Sequence, residues 1–301
     1  MELSIVFATF KSESILEKSL RAYCNIVTVY KWELIIVDNA CREETRILIE
    51  KYKKYLPIVF LTQSKPGKNN ALNKALPSVQ GELVMFTDND IIPAHDIIDV
   101  YVNTAKKNMS IDVFGGKILP NITLPEWIDT SVFGIKTAFG ILDGGDEDKE
   151  ISLEDIWGGN MLIRQRVFKE GVTFNSSIGP NGKSYIMGSE TEFLRRLSQL
   201  GYSGLYVSKA MVLHQIRDEQ LSINWLAHRA FRAGKGAFFN NHDNAKKLFG
   251  FHRYLLRKSI VDFIQSIVAI LSLNKSKINI AIMQLCNTLG KLSQSRNNLT
   301  F

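Results

Sequence analysis

Cysteine is scarce in this sequence of 301 residues. The three cysteines, Cys24, Cys41 and Cys286, are odd in number and show no Cys-x-x-Cys spacing. This pattern excludes a zinc site built from paired cysteines and a disulfide framework, and it is typical of the reducing cytoplasm. We therefore predict ordinary thiols in a cytoplasmic protein.

Long apolar runs are missing as well. No stretch of roughly 18 consecutive apolar residues occurs, so no simple transmembrane helix is predicted. The N-terminal residues Met-Glu-Leu-Ser-Ile-Val-Phe-Ala lack a basic segment before the apolar run and lack a convincing cleavage site. They are interpreted as a first strand rather than a signal peptide.

Net charge is almost absent from the first 250 residues. The chain carries +7, and residues 251–301 alone contain seven Lys or Arg and one Asp. The basic character therefore belongs to the C-terminal segment, and a uniformly basic surface for nucleic acid is not predicted.

Short apolar, β-branched runs alternate with stretches of helical spacing in the first third of the chain. The predicted strands are Leu3–Thr9, Trp32–Asp38, Ile58–Thr62 and 82–88, and the predicted helices are 14–22, 43–55 and 70–76. This alternation predicts βαβ units and an α/β fold with a mostly parallel central sheet. Further on, the Gly-rich and acidic segment 143–150 is predicted to be a mobile loop, 189–200 a helix and 204–207 a strand.

Polar residues stand at the ends of three predicted strands. Thr9, Asp38 and Asp88 each follow an apolar run. Because open α/β sheets bind ligands beyond the carboxyl ends of their strands, these residues predict a shared crevice. Asp88-Asn89-Asp90 supplies two carboxylates there, which suit Mg²⁺ or Mn²⁺ together with substrate phosphates. The alternative is a surface Asx-turn before the helix that follows Pro93.

Several motifs in order resemble the family 2 glycosyltransferases. The nucleotide-binding half of that family is similar to Ala8-Thr9-Phe10, Val37-Asp38-Asn39, Pro66-Gly67-Lys68, Ala71-Leu72-Asn73 and Phe86-Thr87-Asp88-Asn89-Asp90. The acceptor half is similar to Trp157-Gly158-Gly159-Asn160-Met161, Arg164, Val167-Phe168 and Gly188-Ser189-Glu190-Thr191-Glu192-Phe193. The resemblance extends over roughly residues 3 to 235, and ordered motifs are far more specific than any single one.

The resemblance implies a GT-A fold, which is a Rossmann-like nucleotide-binding α/β architecture, and an inverting transferase. It implies a catalytic domain over 1–240, with a donor half over 1–92 and an acceptor half over 93–240. The remaining segment, 241–301, is predicted to be a basic, amphipathic, helical extension.

The resemblance also implies which residues meet the donor. The positions of Thr9 and Asp38 contact the base and ribose in the family, and Asp88 and Asn89 lie in the same donor site. Asp38 has the alternative role of a turn residue that ends its strand.

Two further residues near the donor follow from the motif that begins at Pro66. Lys68 and Asn73 are expected beside the donor. The alternative for Lys68 is an ordinary solvated lysine.

A metal site is implied at the second acid of Asp88-Asn89-Asp90. Asp90 is the expected ligand for Mn²⁺ or Mg²⁺, with Asp88 beside it. His214 resembles the late histidine that some GT-A enzymes use as a third ligand, and neutral imidazole suits Mn²⁺. The alternative for His214 is a hydrogen-bonded loop histidine.

Inverting transfer needs a general base that takes the proton of the acceptor hydroxyl. The family usually has Glu-Asp in the acceptor motif, whereas this chain has Ser189-Glu190, so the match assigns the base to Glu190. Ser189-x-x-Glu192 is also a capping-box pattern, which predicts a structural role for Glu192.

The segment Trp157-Gly158-Gly159-Asn160 is expected to bind the acceptor. The glycines would let backbone approach a sugar, with Gly159 in contact and Asn160 hydrogen-bonding its hydroxyls. Trp157 would stack on the sugar or would belong to the core, and a tight turn is the alternative for the glycines.

The C-terminal segment contains an amphipathic helix over 259–273 and a second apolar stretch over 278–292. Its apolar face comprises Ile260, Phe263, Ile264, Ile267, Ile270 and Leu271, and its polar face Ser259, Asp262, Ser266 and Ala269. With Arg253, Arg257 and Lys258 before it, the helix suits an anionic membrane surface. The alternative is an apolar face packed on the catalytic domain or on another subunit.

These patterns together predict transfer of a sugar from a nucleotide-diphosphate sugar to a glycan or lipid-linked acceptor, at the inner face of the cell membrane. A sugar nucleotidyltransferase is disfavoured, because the loop Phe10-Lys11-Ser12-Glu13 after the first strand has no glycine. A non-catalytic, membrane-associated module that binds a nucleotide sugar or a partner is the other alternative.

Overall fold

A computed structural model of the chain describes residues 1–181, 185–240, 246–248 and 250–297. The chain forms two compact units. Unit 1 consists of Met1–Asn121, Gly140–Gly182 and Ser189–Gln215, and unit 2 of Ile122–Phe139, Lys183–Gly188 and Ile216–Phe301.

The elements follow one another as the sequence predicts for an α/β protein with a helical extension. The strands are β1 (Leu3–Thr9), β2 (Trp32–Asp38), β3 (Ile58–Thr62), β4 (Leu83–Thr87), β5 (Ile91–Pro93), β6 (Val113–Pro120), β7 (Lys149–Ile151), β8 (Asn160–Arg164), β9 (Gly204–His214), β10 (Lys247–Leu248) and β11 (Phe251–His252). The helices are α1 (Glu13–Tyr23), α2 (Glu43–Tyr52), α3 (Lys68–Ala75), α4 (Ile97–Lys107), α5 (Phe133–Ala138), α6 (Gln165–Lys169), α7 (Ser189–Gln199), α8 (Ile223–Asn240), α9 (Arg253–Leu271) and α10 (Lys275–Asn297).

One sheet organises unit 1, in the order β3-β2-β1-β4-β8-β6-β9-β5, with β7 paired to β9. Strands β1 to β4 are parallel to one another, and β6 is parallel to β9. Strand β8 is antiparallel to both β4 and β6. The carboxyl ends of β1, β2 and β4 therefore meet the amino end of β8 at one edge of the sheet, as the predicted crevice requires.

The sheet is covered on both faces. Along β1, Leu3, Ile5 and Phe7 belong to one buried cluster and Val6 to another, because alternate strand residues point to opposite faces. The first cluster takes residues from α1, α2 and α4, and the second from α3, α6 and α7. Since each such buried side chain contributes about 1.5–3 kcal/mol, the strand ends are held by a rigid support.

The predicted bounds of β1, β2 and β3 are confirmed, whereas the predicted end of a later strand is wrong. The strand predicted over 204–207 continues to His214, because β9 pairs with β5, β6 and β7. The segment 143–150, predicted as a mobile loop, is irregular up to Asp148, and its last two residues belong to β7. Lys117 forms ion pairs with Asp143 and Asp146, and Asp148 accepts hydrogen bonds from the Ser208 amide and hydroxyl.

Unit 2 is built from helices whose backbones pack closely. Gly234 of α8 lies against Asn287 of α10, where an added Cβ would stand 2.0 Å from the Asn287 carbonyl oxygen. Gly290 of α10 lies against Phe231 in the same way, also at 2.0 Å. The predicted boundary between 240 and 241 falls within this unit, because α8 packs along α10. Within the predicted extension, 241–245, 249 and 298–301 lie outside the described residues.

Helix α9 reverses the expected orientation of an amphipathic helix. Asp262 and Ser266 are buried at 2% and 4% exposure, whereas Phe263 and Leu271 are 56% and 77% exposed. Within unit 2, α9 therefore turns its polar residues inward and leaves its apolar residues exposed. Among the described helices, none combines the length and the hydropathy that crossing a membrane requires.

Candidate active site

A lysine ammonium lies between two carboxylates at the edge of the sheet formed by the carboxyl ends of its parallel strands. Lys68 at the start of α3 places Nζ 2.6 Å from Oδ1 of Asp88 and 2.7 Å from Oε1 of Glu190. The side chains of Lys68 and Glu190 are only 16% and 26% exposed, and that of Asp88 is 37% exposed. The structure thus brings together three of the residues predicted for donor binding and catalysis.

This cluster fixes the charges of Lys68 and Glu190. Burial alone would lower the pKa of the Lys68 ammonium, but the charges and hydrogen bonds of Asp88 and Glu190 raise it above its ordinary value. Burial alone would raise the pKa of Glu190, whereas Lys68, the Glu190 backbone amide and the Ser189 hydroxyl lower it to about 2. The Ser189 Oγ donates to Oε2 of Glu190 at 2.8 Å. Glu190 is therefore an anion at neutral pH.

Glu190 can occupy this position because Gly158 has no side chain. A Cβ added at Gly158 would stand 2.4 Å from Cγ of Glu190, a distance that no side chain tolerates. Gly159 lies on the Asp88 side, where its added Cβ would be 3.8 Å from Oδ2. Its carbonyl accepts a hydrogen bond from the Thr87 hydroxyl at 2.8 Å. Gly158 thus makes room for the Glu190 carboxylate, and Trp157 is half-buried against the core.

The loop that delivers Lys68 is shaped by Asn39, a residue whose role the sequence did not indicate. The Asn39 amide nitrogen donates to the carbonyls of Gln63 at 2.7 Å and Lys65 at 2.8 Å. Its amide oxygen accepts from the Gly67 amide at 2.8 Å. Gly67 has φ +124°, a conformation that favours glycine. An asparagine directly after a strand-ending aspartate is the sequence signal that could have indicated this loop.

Asp90 and His214 form a second pair at the same edge. The Nε2 atom of His214 lies 3.4 Å from Oδ2 of Asp90, with 16% and 20% of the two side chains exposed. The position follows from strand pairing, because His214 is in register with Ile91 and the Gln215 amide donates to the Asp90 carbonyl at 2.8 Å.

The predicted set of Asp88, Asp90 and His214 is not brought together around one point. Asp88 turns to Lys68 instead, and no group of three or more His, Cys, Asp or Glu in the described ranges is arranged to hold a metal ion. One carboxylate and one imidazole nevertheless fit a Mn²⁺ or Mg²⁺ ion that takes its other ligands from substrate phosphates and water.

Thr9 and Asn89 bind each other across the edge. The Asn89 amide nitrogen donates to Thr9 Oγ1 at 3.3 Å and also to Oγ of Ser12, a residue that the sequence did not single out. The Asn89 carbonyl accepts from the Ser19 hydroxyl at 2.9 Å. Thr9 is 3% exposed. These contacts hold the loop after β1 against the Asp88-Asn89-Asp90 loop.

Asp38 takes the turn role that the sequence left as its alternative. Asp38 is fully buried. Oδ1 accepts from the Ala40 amide at 2.8 Å and Oδ2 accepts from the Arg42 amide at 2.7 Å. Because the carboxylate is buried and serves two backbone amides, direct recognition of a base is not what this arrangement shows.

Asn73 cross-links α3 to a neighbouring loop. Its amide nitrogen donates to the Phe174 carbonyl at 2.7 Å, and its amide oxygen accepts from the Phe174 backbone amide at 2.9 Å. Both polar ends of the side chain are thus occupied by backbone groups, and Asn73 is a support rather than an exposed donor contact in this structure.

Asn160 differs most from its predicted role in acceptor binding. The residue has no exposed surface. Its amide oxygen accepts from the Tyr101 hydroxyl at 2.7 Å, and its amide nitrogen donates to the carbonyls of Lys117 at 3.1 Å and Ala210 at 2.7 Å. The prediction is corrected because β8 lies in the middle of the sheet, where the Asn160 side chain bonds groups of α4, β6 and β9.

The predicted capping box would pair Ser189 with Glu192 at the start of α7. The Ser189 hydroxyl bonds Glu190 instead, and the Glu192 carboxylate pairs with Arg196 one turn later at 2.7 Å. Glu192 keeps a structural role through a different partner, and Ser189 joins the candidate site as a hydrogen-bond donor to Glu190.

Comparison with known proteins identifies the family of the chain. The family model for glycosyl transferase family 2 matches residues 4–172. The succinoglycan biosynthesis protein ExoM of Rhizobium meliloti is 23% identical over 241 residues, which cover 78% of this chain and 74% of that protein. The cholesterol galactosyltransferase of Borreliella burgdorferi is 25% identical over 271 residues, which cover 82% and 72%.

Solved structures show the same fold. The mannosyltransferase PcManGT from Pyrobaculum calidifontis, in complex with GDP-Man and Mn²⁺, superposes with a TM-score of 0.64 over 99% of this chain and 88% of that one, at 13% identity. S. aureus TarS 1-349 in complex with UDP gives a TM-score of 0.56 over 96% and 91%, at 15% identity. The GT-A fold and the family match over more than half of the chain agree. The chain belongs to glycosyl transferase family 2, and the protein is a glycosyltransferase.

Proposed function

We propose that this glycosyltransferase is an inverting, metal-dependent enzyme in which Glu190 is the general base. The observation that best supports this proposal is the position of Glu190. It is held as a carboxylate beside Asp88 and the start of α3, in a space that Gly158 keeps open. In the proposed reaction the acceptor oxygen attacks the anomeric carbon and the bond from that carbon to the diphosphate breaks. The acceptor proton goes to Glu190, and the nucleoside diphosphate leaves.

Glu190 can act as a base only when its contact with Lys68 weakens. A carboxylate with a pKa of about 2 holds a proton poorly, and general bases work best with a pKa near the working pH. A donor diphosphate brings negative charge to the side of Asp88, where it would compete for the Lys68 ammonium. Donor binding would thereby raise the pKa of Glu190 and prepare it for the acceptor.

Asp90 and His214 are the residues that would hold Mn²⁺ or Mg²⁺. A bound divalent ion supplies charge that neutralises a leaving diphosphate. Thr9, Asp38, Asn73 and Asn89 would act on the donor through the loops that they fix.

Two residues beside the carboxylates are proposed for the acceptor. Gly159 lies close to Asp88, and Trp157 borders the same turn. Their place beside Glu190 suits an acceptor hydroxyl that must approach the base.

The proposed acceptor is a glycan or a lipid-linked sugar in surface polysaccharide or glycolipid assembly, at the cytoplasmic face of the membrane. Support comes from relatives whose names concern succinoglycan, cholesterol and, over a shorter segment, monoglucosyldiacylglycerol. The chain's own basic C-terminal segment also supports a membrane location.

Glu190→Gln tests this function, with Glu192→Gln on the same helix as the matched control. We expect Glu190→Gln to lower the transfer rate by about 10²- to 10⁴-fold, with nucleotide affinity changed little. Glu192→Gln removes only a partly exposed ion pair with Arg196 and should transfer normally. The measurements are product formation from nucleotide sugars and calorimetric binding of the nucleotide. Transfer that survives in Glu190→Gln, or a loss of affinity equal to the loss of rate, would reject Glu190 as the base.

A further inference from the structure

Helix α9 presents a wide apolar surface outward. We define the outward face of α9 as Ile260, Phe263, Ile264, Ile267, Val268 and Leu271. These side chains are 44% to 77% exposed, and Leu273 directly after the helix is 88% exposed. Soluble proteins rarely expose contiguous apolar patches of this kind without a binding partner.

Specific polar contacts hold the outward face in this orientation. The buried carboxylate of Asp262 accepts a hydrogen bond from Thr288 of α10 at 2.6 Å and pairs with Lys258 at 2.9 Å. The Ser266 hydroxyl donates to the Asp262 carbonyl at 2.8 Å and lies 3.3 Å from the Ala281 carbonyl. Rotating α9 to bury its apolar face would remove the Asp262 carboxylate from these partners, which a buried charge does not tolerate. The exposed face is therefore built into the helix pair α9–α10.

Basic residues border this face at both ends. Arg253 and Arg257 lie at its start, and Lys275 and Lys277 follow its end; all four are exposed. Asp262 is the only acidic residue in 251–301, and it is buried. An apolar strip framed by cations complements a surface that is apolar inside and anionic at its rim.

We infer that α9 docks in the plane of an anionic lipid bilayer, with its outward face among the acyl chains and its basic borders at the lipid phosphates. A helix of 19 residues is about 28 Å long, so it can lie along the membrane with several apolar turns inserted. Basic side chains near an anionic leaflet add electrostatic attraction.

A second copy of the chain fits the same face less well. A two-fold dimer through α9 would bring each basic border into an interface with an identical basic surface. No acidic side chain of 251–301 other than buried Asp262 could compensate for this repulsion. The bilayer supplies the missing negative charge.

Flotation of the full chain with lipid vesicles tests the inference. Vesicles of phosphatidylcholine alone are compared with vesicles that also contain phosphatidylglycerol. The variant F263S/I267S is compared with I47S/V29S, which changes two other exposed apolar residues outside α9. We expect wild type and I47S/V29S to bind the anionic vesicles and F263S/I267S to lose more than about tenfold in binding. Because all four substituted side chains are exposed, folding should be kept, and thermal unfolding verifies this.

Other outcomes are equally decisive. Wild type that does not float, or F263S/I267S that floats as wild type does, would overturn the inference. A self-association in sedimentation velocity that F263S/I267S abolishes, without vesicle binding by wild type, would assign the face to a second copy and also overturn it. The inference deepens the proposed membrane location but does not depend on sugar transfer. Wild type that binds vesicles and transfers no sugar would uphold the docking surface and reject only the proposed reaction.

Discussion

At the scale of single residues, Lys68 is the charge on which the candidate site depends. Its ammonium is the partner of both Asp88 and Glu190, and without it two carboxylates would face a poorly solvated space. The sequence left open whether Lys68 is an ordinary solvated lysine. Its position in the motif did not predict ion pairs with two carboxylates.

Lys68→Met is expected to lower the free energy of unfolding near neutral pH by about 1–3 kcal/mol. The pKa of Glu190 lies at about 2 in the folded protein and near 4.5 ordinarily. A depressed carboxylate pKa contributes stability above the ordinary value, and this contribution is lost as the pH falls toward the folded value. The difference between wild type and Lys68→Met should therefore shrink between about pH 5 and pH 2.

Urea unfolding across that pH range provides the measurement, with Lys74→Met as the control because Lys74 is exposed on the same helix. Lys74→Met should follow wild type at every pH. A deficit in Lys68→Met that stays constant down to the acid limit would show that Glu190 does not gain its stability from Lys68.

At the scale of elements, apolar patterning predicted well wherever a segment is decided by burial alone. The bounds of β1 and β2 follow directly from β-branched runs that are buried on both faces of the sheet. Those of β3, the half-buried last strand of the sheet, follow from a short apolar run that ends at Thr62. Patterning was insufficient where tertiary partners decide. The end of β9 at His214 depends on strands far away in the sequence, and the orientation of α9, which the sequence left open, depends on Thr288 of α10.

The direction of side chains could not be predicted from the sequence either. Motif order singled out Asp38, Asn73 and Asn160 as site residues, but it did not indicate which groups their side chains would bond. All three bond backbone groups that need partners: Asp38 the amides before α2, Asn73 the loop at Phe174, and Asn160 carbonyls of β6 and β9.

Asn160→Ala tests the corrected role of that residue within the sheet. Removing the amide would leave the Tyr101 hydroxyl and the carbonyls of Lys117 and Ala210 without their bonds inside the protein. Since each unsatisfied buried group costs about 1–3 kcal/mol, we expect the free energy of unfolding to fall by at least about 2 kcal/mol. Denaturant unfolding measures this, and the KM for the acceptor in the remaining folded enzyme should be unchanged. Normal stability combined with a raised acceptor KM would return Asn160 to the acceptor site.

At the scale of the whole molecule, charge and chemistry are separated between the two units. Asp88, Asp90, Glu190 and His214 all belong to unit 1, whereas the basic and apolar surface of α9 belongs to unit 2. The uneven charge of the sequence predicted this separation, but the boundary could not be read from it. Helix α8 has ordinary composition, and only its close packing against Gly290 of α10 assigns it to unit 2.

The response of the whole chain to nucleotides and metal follows from the proposed donor site. A ligand that binds only the folded state stabilises it by about 2.7 kcal/mol at a hundredfold excess over its Kd, which corresponds to a rise in Tm of roughly 5 °C for a protein of this size. We expect one of UDP, GDP, CMP or dTDP to produce such a rise in the presence of Mn²⁺.

Asp90→Asn should abolish the part of the rise in Tm that depends on Mn²⁺, because it removes the carboxylate of the Asp90–His214 pair. Asp155→Asn, which neutralises an exposed aspartate of the same unit, should respond as wild type. A rise that is the same with and without Mn²⁺ would reject a metal at Asp90 and leave the diphosphate charge to Lys68. The absence of any rise would reject the donor site proposed at this edge of the sheet.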